Sequence, residues 1–213
     1  GTTGPPPQAV SGAGTARGRG YGAVLLSLGA LGEASLAELV AHCRRIAEVL
    51  PLVGFYLQPA VGGRPLEEAF WRRFLEIERV VAINNTTQID LQGQAASESD
   101  GHRHISGTGG QLQFVRGAYA SKHGKSFICL TSTYDKRGGR RSRIVLDLTQ
   151  GNIVTTPRSD VMYVVTEYGI VDLKGKSVSE RARALIGLAH PDFRETLERQ
   201  AHEHRLFPRA VSF

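Results

Sequence analysis

Cysteine is nearly absent, with two residues in 213, and methionine and tryptophan occur once each. Cys43 and Cys129 stand far apart and form no C-x-x-C pair, which excludes a disulfide framework and a thiolate zinc site and points to reduced thiols. Long hydrophobic runs are also missing. The longest candidate, Ala23 to Leu31, is interrupted by Gly29 and falls short of the roughly 20 residues that a bilayer requires, so no membrane-spanning helix is predicted. The opening GTTGPPPQ carries neither a basic stretch nor a cleavage pattern, so no secretory leader is predicted and the expected compartment is the cytoplasm. No helix-turn-helix, RNP or zinc signature is present, and basic clusters are not interleaved with aromatics, so nucleic acid is not an expected partner. A P-loop is excluded because no Gly-Lys-Ser/Thr follows a glycine run at the required spacing.

What the chain does contain is enough apolar material for a core. Hydrophobic residues make up 41% and charged residues 22%, close to the averages for globular proteins. The net charge of +6 and pI near 9.6 make the surface attractive to anions, without choosing between nucleic acid and phosphorylated small molecules. Five cations, Lys136, Arg137, Arg140, Arg141 and Arg143, crowd around Gly138-Gly139. That pattern predicts a hairpin or loop tip, read first as a solvated basic surface and second as a contact for phosphate or an acidic partner.

Residues 1–33 hold Pro5 to Pro7 and the Arg17-Gly18-Arg19-Gly20 run with little apolar periodicity, and are read as a flexible, low-complexity lead. Residues 34–78 read as helical. One helix is predicted from Ser35 to about Leu50, where Leu36, Leu39, Val40, Cys43, Ile46 and Ala47 fall at helical spacing, and another from Pro65 to about Arg79. Residues 79–206 alternate strands with helices, and residues 207–213 form a tail. Strands are predicted at 80–83, 88–91, 127–131, 144–148, 153–155 and 161–165. Ser177-x-x-Glu180 predicts a capping box opening a helix through Ala189, and Pro191 starts another. The fold class is α/β: an open sheet with flanking helices.

Ser106-Gly107-Thr108-Gly109-Gly110 precedes a partly apolar segment, Leu112 to Tyr119, that can open a short helix. Glycines let backbone N–H groups approach a ligand, and a helix start adds a positive dipole end, so this loop can hold an oxyanion or phosphate, although a plain turn has the same composition. It is not a Rossmann fingerprint, since the third glycine and the downstream acid are absent. His102 and His104 share a strand face near Asp100, but no further ligand follows at sensible spacing, so no metal site is predicted. Glu167 in VTEYG follows an apolar run and reads as a buried carboxylate held structurally by backbone N–H groups or Arg158. Arg158, Asp160 and Tyr163 are read as alternating along one strand edge.

The strings VVAINNTTQIDLQGQ, SDGHRHISGTGGQLQFVRGA, VTTPRSDVMYVVTEYGIVDLKGKS and RARALIGLAHPDF together resemble the C-terminal part of the acetyl-CoA hydrolase/transferase family, which includes butyrate and 4-hydroxybutyrate CoA-transferases. The resemblance implies a CoA-transferase-like sheet forming part of a second domain, with coenzyme A as substrate, no permanently bound cofactor, and acyl-CoA and carboxylates as partners. It implies that Gly110 is an oxyanion donor through its amide, that Gly109 and Gly107 shape the turn, and that Asn84, Ser106 and Lys122 lie close to bound CoA. Gln113 stands where many relatives carry Asp, which puts an ion-pair role there in doubt. Family members act through a nucleophilic glutamate lying far upstream, and no segment of residues 1–78 matches the motif around it. The reading is therefore of a C-terminal module that is inactive alone and completed by an N-terminal half in cis or in trans, with a homodimer left open. The alternative is a non-catalytic CoA-binding or assembly domain of the same fold.

Overall fold

Two Ser-x-x-Glu sequences decide where two of the main helices start. Ser35 caps α2 (Leu36–Val49), its hydroxyl accepting from the Glu38 amide while the Glu38 carboxylate accepts from the Ser35 amide at 2.8 Å. Ser177 and Glu180 repeat the arrangement at α5 (Val178–Leu188). Each box satisfies amides that have no intrahelical acceptor, and loss of such a cap costs about 1 kcal/mol.

The computed structural model describes residues 4–54, 66–136 and 138–207. They form two units, residues 1–82 with 116–125, and residues 83–115 with 126–213. The first unit contains α1 (Pro6–Gly18), β1 (Val24–Leu25), α2, β2 (Leu52–Val53), α3 (Glu68–Phe74) and the start of β3 (Val80–Asn85). β1, β2 and β3 pair in parallel, Val24 opposite Leu52 and Leu52 opposite Val80. Leu39, Cys43 and Ile46 of α2, Phe70 and Phe74 of α3, and Leu52 and Val80 form its core.

The second unit contains β4 (Gln88–Asp90), β5 (Ala95–Ala96), β6 (Ser99–Asp100), β7 (Arg103–His104), the start of α4 (Gln111–Ala120), β8 (Lys125–Cys129), β9 (Thr133–Lys136), β10 (Gly139–Ser142), β11 (Ile144–Val145), β12 (Tyr163–Thr166), β13 (Gly169–Asp172), α5 and α6 (Pro191–Glu203). β8 runs parallel to β12, and β13 returns antiparallel beside it. A second small sheet has β11 parallel and β5 antiparallel to β4. α5 packs against β12 and β13, and its Ala182 and Leu185 join Ile89, Ile128, Ile144 and Val164 in one core. The α/β class with flanking helices is observed.

Several expectations are corrected. Residues 1–33 contain α1, in which Ala9 and Ala13 are fully buried one turn apart, so two methyl groups anchor a helix that no large apolar residue announces. The compact units divide after Ala82, and residues 116–125 return to the first unit. α3 ends at Phe74, well before Arg79, whose φ of 63° is incompatible with helix continuation; the expected start at Pro65 lies outside the described residues. Ile153 to Thr155 form no strand, because the Ile153 amide donates to the Ser99 hydroxyl and the Thr155 hydroxyl accepts from the Ser97 amide, leaving only a bridge from Ala95 to Thr156. Arg158 and Asp160 lie in a turn ahead of β12, the Asp160 amide donating to the Pro157 carbonyl at 3.0 Å, and so do not alternate with Tyr163 along a strand.

Candidate active-site loop

The glycine segment sits on the N-terminus of α4. The Phe114 amide donates to the Gly110 carbonyl at 3.0 Å, which makes Gly110 the residue from which the helix starts. Gly109 has a φ of 58°, the left-handed conformation that the turn demands. All five residues from Ser106 to Gly110 are exposed. The first amides of a helix have no intrahelical acceptor, so the N–H groups of α4's first turn are available to an anion at this end. A β-carbon at Gly110 would lie 3.1 Å from the Phe114 ring.

Behind the loop lies a polar frame. The Glu98 carbonyl accepts from the amides of Ile105 and Ser106 at 2.8 and 3.3 Å and holds the strand leading into the glycines. Asn152 accepts from Ser99 and from the Gly101 amide through Oδ1, and donates through Nδ2 to the Gln88 side chain at 2.8 Å. Gln88 also accepts from the Thr149 amide and donates to its hydroxyl. Buried networks satisfied in this way are rigid, because each broken bond leaves an unpaired group away from water. Gln111 adds a bond to Thr156 at 3.0 Å, fixing the first residue of α4. Gly151 packs against His102: a β-carbon there would come within 2.7 Å of the imidazole. No group of at least three His, Cys, Asp or Glu residues suited to a metal occurs among the described residues.

Asn84 belongs to the same unit. Its side chain is half-buried, and its Nδ2 is buried with no hydrogen-bond partner among the described residues. An orphaned buried donor costs about 1–3 kcal/mol and calls for an acceptor supplied from elsewhere. Lys122 lies in the first unit, where its ammonium pairs with Glu78 at 3.0 Å on an exposed surface. Gln113 is exposed in the first turn of α4.

Two carboxylates needed the structure to be understood. Glu167 is exposed, contrary to the expectation from its apolar run, but it is held by a backbone N–H as one of the two expected alternatives has it, with no bond to Arg158: it accepts from the Ser132 amide at 2.9 Å and from its hydroxyl at 2.5 Å. Partial burial pushes its pKa up, but the Ser132 bonds outweigh that and hold it below the ordinary value. Asp90 was not singled out from the sequence. It is 1% exposed and accepts from the amides of Gln92 and Gln94, and burial raises its pKa. The Asp-Leu-Gln-Gly order, an acid ahead of a turn glycine, was the available signal.

The basic cluster forms the β9–β10 hairpin, with Arg140 opposite Asp135 and Arg141 opposite Tyr134; Arg137 lies outside the described residues. Lys136 pairs with Asp100 at 3.2 Å, and the Arg143 guanidinium lies 4.7 Å from the Tyr134 ring centre while donating to the Thr87 carbonyl.

Comparison with known proteins gives a consistent result. Residues 69–201, more than half of the chain, match the family described as acetyl-CoA hydrolase/transferase C-terminal domain. The butyryl-CoA:acetate CoA-transferase of Anaerostipes caccae is 49% identical over 139 residues, which cover 65% of this chain and 31% of that protein. The crystal structure of RipA from Yersinia pestis superimposes with a TM-score of 0.57 at 44% identity, covering 70% of this chain and 32% of that one. A RipA mutant structure matches 97% of this chain with a TM-score of 0.61 at 32% identity. The family match starts ten residues before position 79. The chain spans about a third of the length of the curated relatives it matches.

Proposed function

Because the chain belongs to the acetyl-CoA hydrolase/transferase family through its C-terminal domain, we propose that it supplies one wall of an active site that moves CoA between carboxylic acids of the acetate, butyrate or hydroxybutyrate type, or hydrolyses the acyl-CoA. The observation that carries this reading is the Gly107–Gly110 turn standing exposed on the N-terminus of α4. In this reading the Gly110 amide donates to the thioester oxygen as negative charge develops on it, the contribution expected of a preorganised oxyanion donor. Asn84 offers its orphaned Nδ2 to a second acceptor on the bound CoA. Gly109 and Ser106 shape and line the turn. Lys122 meets a CoA phosphate only by exchanging its surface pair with Glu78, an inexpensive step because exposed pairs are worth little. Coenzyme A is substrate, not resident cofactor, and the working site is cytoplasmic.

The nucleophile of the covalent route is a glutamate: its carboxylate attacks the acyl-CoA carbonyl and expels CoA thiolate, the thiolate attacks the resulting anhydride to release the free acid, and glutamyl-CoA remains for a second carboxylate or water to resolve. Glu33, Glu38, Glu48, Glu67, Glu68, Glu76 and Glu78 lie in no matching motif, and Glu38 is committed to capping α2. The nucleophile therefore comes from an N-terminal half in cis or in trans, within an assembly in which a second copy can also take part.

Two measurements test the reading. Calorimetry should register CoA binding to the 213-residue chain and its loss in Gly110→Asp, where a carboxylate enters the amide cradle and a β-carbon crowds Phe114. CoA affinity equal to wild type would reduce the loop to a turn. Incubation with acetyl-CoA followed by hydroxylamine and peptide mass mapping should show neither turnover nor a labelled glutamate. Labelling of Glu167 would convert it from a Ser132-held carboxylate into the nucleophile. Labelling of any glutamate before Val80 would place a complete catalytic pair in this chain. CoA binding in the absence of turnover, even after an N-terminal half is added, would favour the non-catalytic CoA-binding domain instead.

A further inference from the structure

Beside the β9–β10 hairpin the second unit carries a groove of about 690 Å³, bounded on one side by Arg140, Arg141 and Tyr134 and on the other by Phe193, Thr196 and Gln200 of α6. The geometry points to this groove as a binding site for a nucleoside phosphate, with the phosphates on the two arginines and the flat base against Tyr134 and Phe193.

The cations are available at little cost. The Arg141 side chain has no hydrogen bond or ion pair among the described residues, and its guanidinium offers a planar set of donors suited to two phosphate oxygens. Arg140 lies 3.7 Å from Asp192, with both side chains more than half exposed, and a pair of that kind contributes little. Its other neighbour holds it no better. Nε2 of His190 lies 3.1 Å from the Arg140 guanidinium, a single contact with a neutral ring that a phosphate can replace.

The remaining walls suit the rest of such a ligand. The volume falls in the range of roughly 300–1,000 Å³ of small-molecule sites, far beyond what a lone phosphate fills. Phe193 and Thr196, with Gln200 one turn further along α6, present an apolar ring and two neutral polar groups to a sugar and base. One carboxylate, Asp147, lines the groove, and a second, Asp192, stands beside Arg140, which leaves the Arg141 guanidinium as the cation without an ion pair. The floor is set by Gln88 and Thr149, which are locked to each other at 2.8 and 3.0 Å.

The inference does not rest on the CoA-transferase reading, since ADP is the probe and catalysis is not the readout. Titration calorimetry of the full chain with ADP should give saturable binding, weakened about tenfold in Arg140→Gln and again in Arg141→Gln, the loss expected for a charge-assisted phosphate contact. Both side chains are exposed, and unchanged circular dichroism and melting temperature would establish that the variants fold. Arg17→Gln, in α1 of the other unit, should leave ADP affinity unchanged. Absence of saturable ADP binding, or equal affinity in the wild type and both groove variants, would overturn the assignment, as would an equal loss in Arg17→Gln. Competition identifies the natural source of the nucleotide. Displacement of ADP by CoA in the Gly110→Asp background identifies the nucleotide end of CoA as the occupant, whereas simultaneous binding identifies a separate nucleotide. Either result supports the site.

Discussion

Gly124→Ala is expected to lower the stability of the first unit by about 3 kcal/mol, one of the largest effects that a single methyl group can produce. A β-carbon at Gly124 would lie 2.0 Å from the Ala118 carbonyl oxygen and 2.9 Å from the Ser121 Cβ. The first obstacle is backbone at the end of α4 and cannot rotate away. Gly117 offers an instructive contrast. Its added methyl would meet Leu75 at 1.9 Å, but the obstacle is the end of a side chain on the margin of the core, which can change rotamer. Gly117→Ala should therefore cost less. Trp71, the single tryptophan, sits in α3 with its ring 4.9 Å from Phe70, so its fluorescence reports unfolding of this unit specifically. Urea titrations followed at Trp71 should show the midpoint of Gly124→Ala displaced furthest. Equal midpoints for wild type and Gly124→Ala would mean that the turn after α4 relaxes freely.

The second large effect concerns His42. It is 2% exposed in α2, and neither ring nitrogen has a hydrogen-bond partner among the described residues. Burial, followed by the nearby Arg45 charge, lowers its pKa below the ordinary histidine value. The unfolded chain therefore takes up a proton at this position before the folded one does. Stability contributed by neutral His42 is complete above the unfolded pKa of about 6.5 and is lost as pH falls below it. His42→Leu should raise stability by about 1–3 kcal/mol at neutral pH, since it removes two unsatisfied buried nitrogens, and the gain should widen as the solution is made more acid. Trp71-monitored unfolding of both proteins at neutral and mildly acidic pH gives the comparison. A difference that stays constant with pH would show that His42 does not titrate differently on folding.

The contrast between these sites and the helices shows what a linear reading can reach. Ser35 with Glu38 and Ser177 with Glu180 are local devices, with donor and acceptor three residues apart, and both capping boxes form as the pattern implies. Gly138-Gly139 turns the basic hairpin for the same reason, both residues having positive φ. The readings that failed depend on distant partners. The Ile153 to Thr155 run was apolar enough for a strand, but Ser99 and Ser97, more than fifty positions away, claim its polar groups. Ala9 and Ala13 are core residues only because larger side chains close over them, and alanine carries no periodic signal of its own. Glu167 was expected to be buried and is exposed, while the backbone N–H that holds it, as expected of a structural carboxylate, belongs to Ser132, 35 residues back. The glycine loop was legible because its shape is written in consecutive residues. The Asn84 donor, the Lys122–Glu78 pair and the groove beside the hairpin were not, because each is made by packing.

The return of residues 116–125 to the first unit has a consequence for biosynthesis. Ser121 donates its hydroxyl to the Ile77 carbonyl at 2.6 Å and accepts from the Val80 amide, and the Arg79 amide donates to the Lys122 carbonyl at 2.9 Å. These bonds hold the segment that carries the chain into β3, and their partners leave the ribosome some forty residues after it. The core of α1, α2 and α3 can form first, whereas the turn from Ile77 to Val80 keeps its polar groups open to water until Ser121 and Lys122 have emerged, so this turn is the last part of the unit to be fixed.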